Sequence, residues 1–117
     1  MRFLTVYFFL IYYALSCSDR ANIKMIVKNE LQYNIEHMIL KTTGGSELFY
    51  KDLLPNELIE LRIDMTDIPK TDGHYIIEYY IKDSSVVRHF GYYTNGYPIN
   101  NRYDIRIQVD TILIKEF

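Results

Sequence analysis

From residue 23 onward, apolar and polar positions alternate with a period of two, the spacing at which successive side chains leave opposite faces of a β-strand. Ile23, Met25 and Val27 alternate with Lys24 and Lys28, with Ile26 on the second face, in a run that ends near Asn29. A second run, Tyr33 to Thr42, carries Ile35, Met38 and Leu40, and its alternation slips near His37, which predicts a bulge there. Gly44-Gly45 breaks the chain before a short extended segment, Glu47 to Tyr50. Leu53 to Glu57 reads as a turn, because Pro55 fixes φ and Asn56 tolerates a left-handed backbone. Ile59, Leu61 and Ile63 then oppose Glu60, Arg62 and Asp64 in the clearest half-buried strand of the chain. After the Asp72-Gly73 turn, His74 to Lys82 and Val86 to Thr94 flank Asp83-Ser84-Ser85 and predict a hairpin. The first of these strands is apolar on both faces, with Tyr75, Ile77, Tyr79 and Ile81 on one and Ile76 and Tyr80 on the other, which places it at the centre of a sheet. Asn95-Gly96 is the strongest two-residue turn signal, Tyr97-Pro98 opens an irregular segment to Asn101, and Tyr103 to Ile114 is predicted as one last strand. About seven short strands and no convincing helix predict an all-β, two-sheet sandwich over residues 23–117.

The first 22 residues follow different rules. Met1-Arg2 is a short positive start, Phe3 to Leu15 is uncharged and strongly apolar, and polarity begins at Ser18-Asp19-Arg20, which is the anatomy of a secretory signal peptide over residues 1–16. The apolar run is shorter than the roughly 20 residues a membrane-spanning helix needs. Ala14-Leu15-Ser16-Cys17 supports two readings, both of which make Cys17 the first residue of the mature chain. In one, Ala14 and Ser16 are the small residues an ordinary signal peptidase requires. In the other, the segment resembles the lipobox of bacterial lipoproteins, which implies that Cys17 carries diacylglycerol and anchors the chain to a membrane. Cys17 is the sole cysteine and has no intramolecular disulfide partner, which favours lipidation. Residues 17–22 would then be a lipidated cysteine and a short tether, in an exported protein of the bacterial envelope.

The turn motifs of the domain carry a second resemblance. Leu54-Pro55-Asn56-Glu57 leads into an alternating strand, and Asp72-Gly73-His74-Tyr75-Ile76 leads into another. The pair is similar to the Leu-Pro-x-Glu turn and Gly-x-Tyr strand start of small exported immunoglobulin-like domains. That resemblance implies a single immunoglobulin-like sandwich of about seven antiparallel strands. It assigns no activity, since such folds host many.

Composition narrows the function classes. The 117 residues carry 13 basic and 15 acidic side chains, a formal charge of −2, and removal of residues 1–16 with Arg2 makes it −3. Lysine and arginine are scattered singly along the chain, so no basic patch stands out and nucleic acid is not an expected partner. There is no Gly-x-Ser-x-Gly elbow, no His-Glu-x-x-His pair and no Gly-rich phosphate loop, and the protein is read as non-catalytic, without cofactor.

Two constellations remain. His74, Glu78 and His89 could meet across the hairpin as a ligand set suited to zinc, which would make the protein a small metal or ligand carrier; the spacing is not diagnostic, and no metal is assigned. Tyr92, Tyr93, Asn95, Tyr97, Asn100 and Arg102, with Asn101 and Tyr103 beside them, combine rigid amphipathic rings with adaptable hydrogen-bonding groups, a composition favoured at protein-binding loops. They point to a protein partner of unknown identity, in a structural or interaction module of the envelope or in a periplasmic inhibitor or immunity-type protein.

Overall fold

A computed structural model describes residues 22–117, and the leader expected over residues 1–16 and Cys17 lie outside the described residues. The described residues form nine strands: β1 Asn22–Asn29, β2 Ile35–Thr42, β3 Glu47–Leu53, β4 Leu58–Asp64, β5 Gly73–Ile81, β6 Ser84–Thr94, β7 Tyr97–Pro98, β8 Arg102–Ile107 and β9 Ile112–Glu116. They make two sheets, one of order β4-β1-β8-β9 and one of order β3-β2-β5-β6-β7. The chain changes sheet after β1, β3, β4 and β7, so each sheet is assembled from distant stretches of sequence. Neighbouring strands run antiparallel except β1 and β8, which are parallel, with Lys24 opposite Arg102 and Lys28 opposite Arg106.

The alternation predicted from the sequence is the alternation that buries the core. Ile23, Met25 and Val27 of β1 and Tyr103, Ile105 and Ile107 of β8 face Met38 and Leu40 of β2 and Tyr75, Ile77 and Tyr79 of β5, all buried. Each fully buried aliphatic side chain stabilises the fold by about 1.5–3 kcal/mol. β5 lies between β2 and β6, the central position its two apolar faces predict. Asn29 is also fully buried: its side-chain amide donates to the carbonyls of Tyr33 and Leu53, both at 3.0 Å, and its side-chain oxygen accepts from the Leu31 amide at 2.9 Å. One polar side chain thereby staples the end of β1 to the chain on either side of the second sheet's first hairpin.

Three details depart from the sequence reading. No residue is inserted near His37: Ile35 pairs with Leu53 and His37 with Lys51 in constant register, and both strands change face together, with Asp52 at φ 55°. The bulge instead falls between β5 and β6, where Gly73 opposes Tyr93 but Tyr75 opposes Phe90. Gly91 absorbs the extra residue at φ 69°, and a Cβ there would come within 2.6 Å of the Tyr103 hydroxyl. Finally, Tyr103 to Ile114 is two strands. The amide of Gln108 donates to the carbonyl of Thr111 at 2.9 Å, closing a turn that leaves Val109 71% exposed although it continues the alternation of Ile105 and Ile107.

Candidate binding surface

The strongest turn signal in the sequence forms a tight hairpin turn. Thr94 pairs with Tyr97 across Asn95 and Gly96, whose φ values of 51° and 74° are those a two-residue hairpin loop demands. This turn is clamped from the side by Asp72, whose carboxylate accepts from the Tyr92 hydroxyl at 2.7 Å, the Thr94 hydroxyl at 2.9 Å and the Asn95 amide at 3.2 Å. The Tyr92 hydroxyl first, then Thr94 and the Asn95 amide, hold the Asp72 carboxyl below the usual aspartate range, and the same bond raises the Tyr92 hydroxyl. The Gly96 amide donates to the Thr71 carbonyl at 3.0 Å, a second tie to the same connection.

Beyond the clamp the chain presents Tyr97 and Ile99, 54% and 57% exposed. Tyr97, Pro98, Asn100 and Asn101 line one wall of a shallow open groove of about 540 Å³, and Asn22, Lys24 and Arg62 of the four-stranded sheet line the other. The groove therefore joins an aromatic, amide-rich loop to basic side chains, and it opens where β1 begins.

The residues singled out from the sequence fall into four groups. Tyr92 and Asn95 are exposed and anchor the loop through Asp72, while Tyr97 and Asn100 line the groove. Tyr93 is fully buried; its ring lies 5.6 Å from that of Tyr75 and its hydroxyl is 3.2 Å from the Thr43 hydroxyl. It belongs to the core, because the Gly91 bulge shifts its face, and the expectation that it touches a partner is corrected. Arg102 is half-buried, with Nε 2.9 Å from an Asp104 carboxylate oxygen and its guanidinium 4.1 Å from the centre of the Phe117 ring. Asn100 also accepts from the hydroxyl of buried Tyr103 at 3.0 Å, so one face of the loop is tied to the core.

The hairpin does bring His74 and His89 together, with Nε2 and Nδ1 2.8 Å apart on the surface. Glu78 stays away from them: its carboxylate accepts from the Tyr80 hydroxyl and lies 3.5 Å from Lys41 Nζ, and these contacts hold its carboxyl below the usual range. Among the described residues no group of three His, Cys, Asp or Glu side chains could hold a metal ion.

Sequence reasoning missed how the basic residues gather. Taken one at a time they are scattered, yet the parallel pairing of β1 with β8 aligns Lys24 with Arg102 and Lys28 with Arg106, and β4 and β9 add Arg62 and Lys115 to the same face. The available signal was the period of two itself, since each of these residues lies on the polar face of its strand. Comparison with protein-family models, curated proteins and solved structures gave no match to this chain.

Proposed function

We propose that this protein is a non-catalytic, membrane-tethered, immunoglobulin-like β-sandwich of the bacterial envelope that works by binding another protein through the loop of Tyr97 and Ile99. The observation that carries the reading is the Asp72 clamp: three hydrogen bonds fix the turn from which Tyr97 and Ile99 stand out half-exposed over a groove. A loop held in place before binding loses little conformational freedom on association, and an exposed tyrosine is an effective anchor. The immunoglobulin-like topology is supported by two sheets around one core and by a first strand that runs parallel to a late one. The tether is supported by the apolar leader and the lone Cys17 that follows it.

Two experiments test this. Intact mass of the membrane-fraction chain should show a mature protein that begins at Cys17 and carries acyl mass, lost in Cys17→Ser; an unmodified chain overturns the tether. A photo-crosslinking side chain at position 99 should give one discrete protein adduct in cells that disappears with Tyr97→Ala while the melting temperature is unchanged. A crosslinker at position 51, on β3 at the opposite edge of the five-stranded sheet, should give none. Equal adducts at both positions, or none at position 99, overturn the binding reading.

A further inference from the structure

The outer face of the four-stranded sheet has a charge opposite to that of the rest of the domain. Lys24, Lys28, Arg62, Arg102, Arg106 and Lys115 point outward from it, together with Asp64, Glu60 and Asp104. That is six of the eleven basic residues between positions 22 and 117 but three of the fourteen acidic ones, so the face carries a formal +3 and the remainder −6. Lys24 pairs with Glu60 at 3.0 Å and Arg102 with Asp104 at 2.9 Å, while Lys28, Arg62, Arg106 and Lys115 have no ion-pair partner within 4 Å among the described residues. Leu58, Leu113 and Phe117, each about half-exposed, add apolar area along the two edge strands. A net positive, partly apolar sheet face is complementary to a surface that is itself anionic and interfacial.

We infer that this face lies flat on anionic phospholipid headgroups. The inference rests on the tethered reading for its choice of occupant. Cys17 precedes Asn22 by five residues, and a fully extended chain of that length spans at most roughly 18 Å. A lipid on Cys17 therefore holds the bilayer within that reach of Asn22, which opens β1 at the head of the basic rows. The five-stranded sheet, whose strands carry four acidic and three basic side chains, is turned toward solvent, and the Tyr97 loop sits at the rim, where its groove shares Lys24 and Arg62 with the basic face. Each basic residue near an anionic surface strengthens binding by about fivefold, so neutralising two of them weakens the attraction by about 25-fold.

The test labels lysines on the full chain, purified from a bacterial host and mixed with vesicles of phosphatidylcholine alone or with 30% phosphatidylglycerol, using a water-soluble amine-reactive reagent. Lys24, Lys28 and Lys115 should react at least about tenfold more slowly on the anionic vesicles than on the neutral ones, with the difference lost in 0.5 M salt. Lys51 and Lys70 should react equally on both. Lys28→Gln with Arg106→Gln should remove the protection of Lys24 and Lys115, whereas Lys51→Gln with Lys70→Gln, of equal charge change, should keep it. Equal labelling on the two vesicle types overturns the inference, as does protection by duplex DNA in the absence of protection by vesicles. The tether fails separately: protection on anionic vesicles by a chain whose intact mass shows no lipid leaves this face standing and removes the anchor, and acylated Cys17 with uniform labelling does the reverse.

Discussion

Tyr75 sits at the centre of an aromatic group, its ring centre 5.4 Å from Tyr103, 5.6 Å from Tyr93 and 5.8 Å from Phe90, and it is fully buried. Its hydroxyl finds no hydrogen-bond partner among the described residues, unlike those of Tyr93 and Tyr103. Burial first, and the nearby Tyr103 and Tyr93 hydroxyls next, raise its ionisation well above the ordinary value, so it stays a neutral hydroxyl throughout the physiological range. A buried hydroxyl without a partner costs about 1–3 kcal/mol, and removing it leaves a space one oxygen atom in size, which takes back part of the gain. Tyr75→Phe should therefore stabilise the fold by about 1 kcal/mol, raising the melting temperature by roughly 4–8 °C for a domain of this size. Tyr93→Phe and Tyr103→Phe should each lose about 0.5–1.5 kcal/mol, because their hydroxyls are bonded. Urea unfolding of the three variants at neutral pH makes the comparison at constant ring packing. Loss of stability in Tyr75→Phe equal to that of the other two would refute the reasoning, since it would mean that the Tyr75 hydroxyl is satisfied.

Other perturbations read different parts of the structure. Gly91→Ala combines a positive φ with a Cβ 2.6 Å from the Tyr103 hydroxyl and 2.8 Å from Tyr75, and should destabilise by about 2–4 kcal/mol in chemical denaturation. Asn29→Asp replaces two donated hydrogen bonds with a carboxylate facing the Tyr33 and Leu53 carbonyls, and should cost about 3 kcal/mol at neutral pH by the same measurement. The lowered Asp72 carboxyl fixes the sign of a pH effect: its contribution is complete above the ordinary value of 3.8 and is lost as pH falls through the lower folded value. Hydrogen exchange at the Asn95 amide should therefore be unaccelerated by loop opening between pH 5 and 7 and should rise relative to core amides below pH 3.8. In Asp72→Ala it should be fast at every pH, with Ile105 unaffected.

Much of the fold was legible because burial here follows a period of two almost without interruption. β1, β4, β5 and β6 lie within two residues of the runs read from alternation, and Asn95-Gly96 forms the turn its chemistry demands. Failures came where period and topology part. Val109 extends the pattern of Ile105 and Ile107 one step past the point where the chain turns, so one strand was read where there are two. The slip at His37 looks like an insertion in one strand, and only its partner shows that both change face. Tyr93 looked like loop chemistry because a glycine two residues earlier resets the face of the strand. The period of two puts each basic residue on the polar face of its strand, but that these faces adjoin follows only from the pairing of β1 with β8, almost 80 residues away in sequence, which no local pattern specifies.

The position of β1 has a mechanical consequence. Asn22 to Lys28 is laddered to β4 on one flank, and Lys24 to Asn29 to β8 on the other. A pull applied to the chain ahead of Asn22 and directed along the strand loads both ladders in shear, and many hydrogen bonds must yield together. An edge strand pulled sideways would open like a zipper, one bond at a time. The strand nearest the start of the domain is thus the one best placed to bear tension, and detaching it would also expose the core-facing Ile23, Met25 and Val27 in a single step.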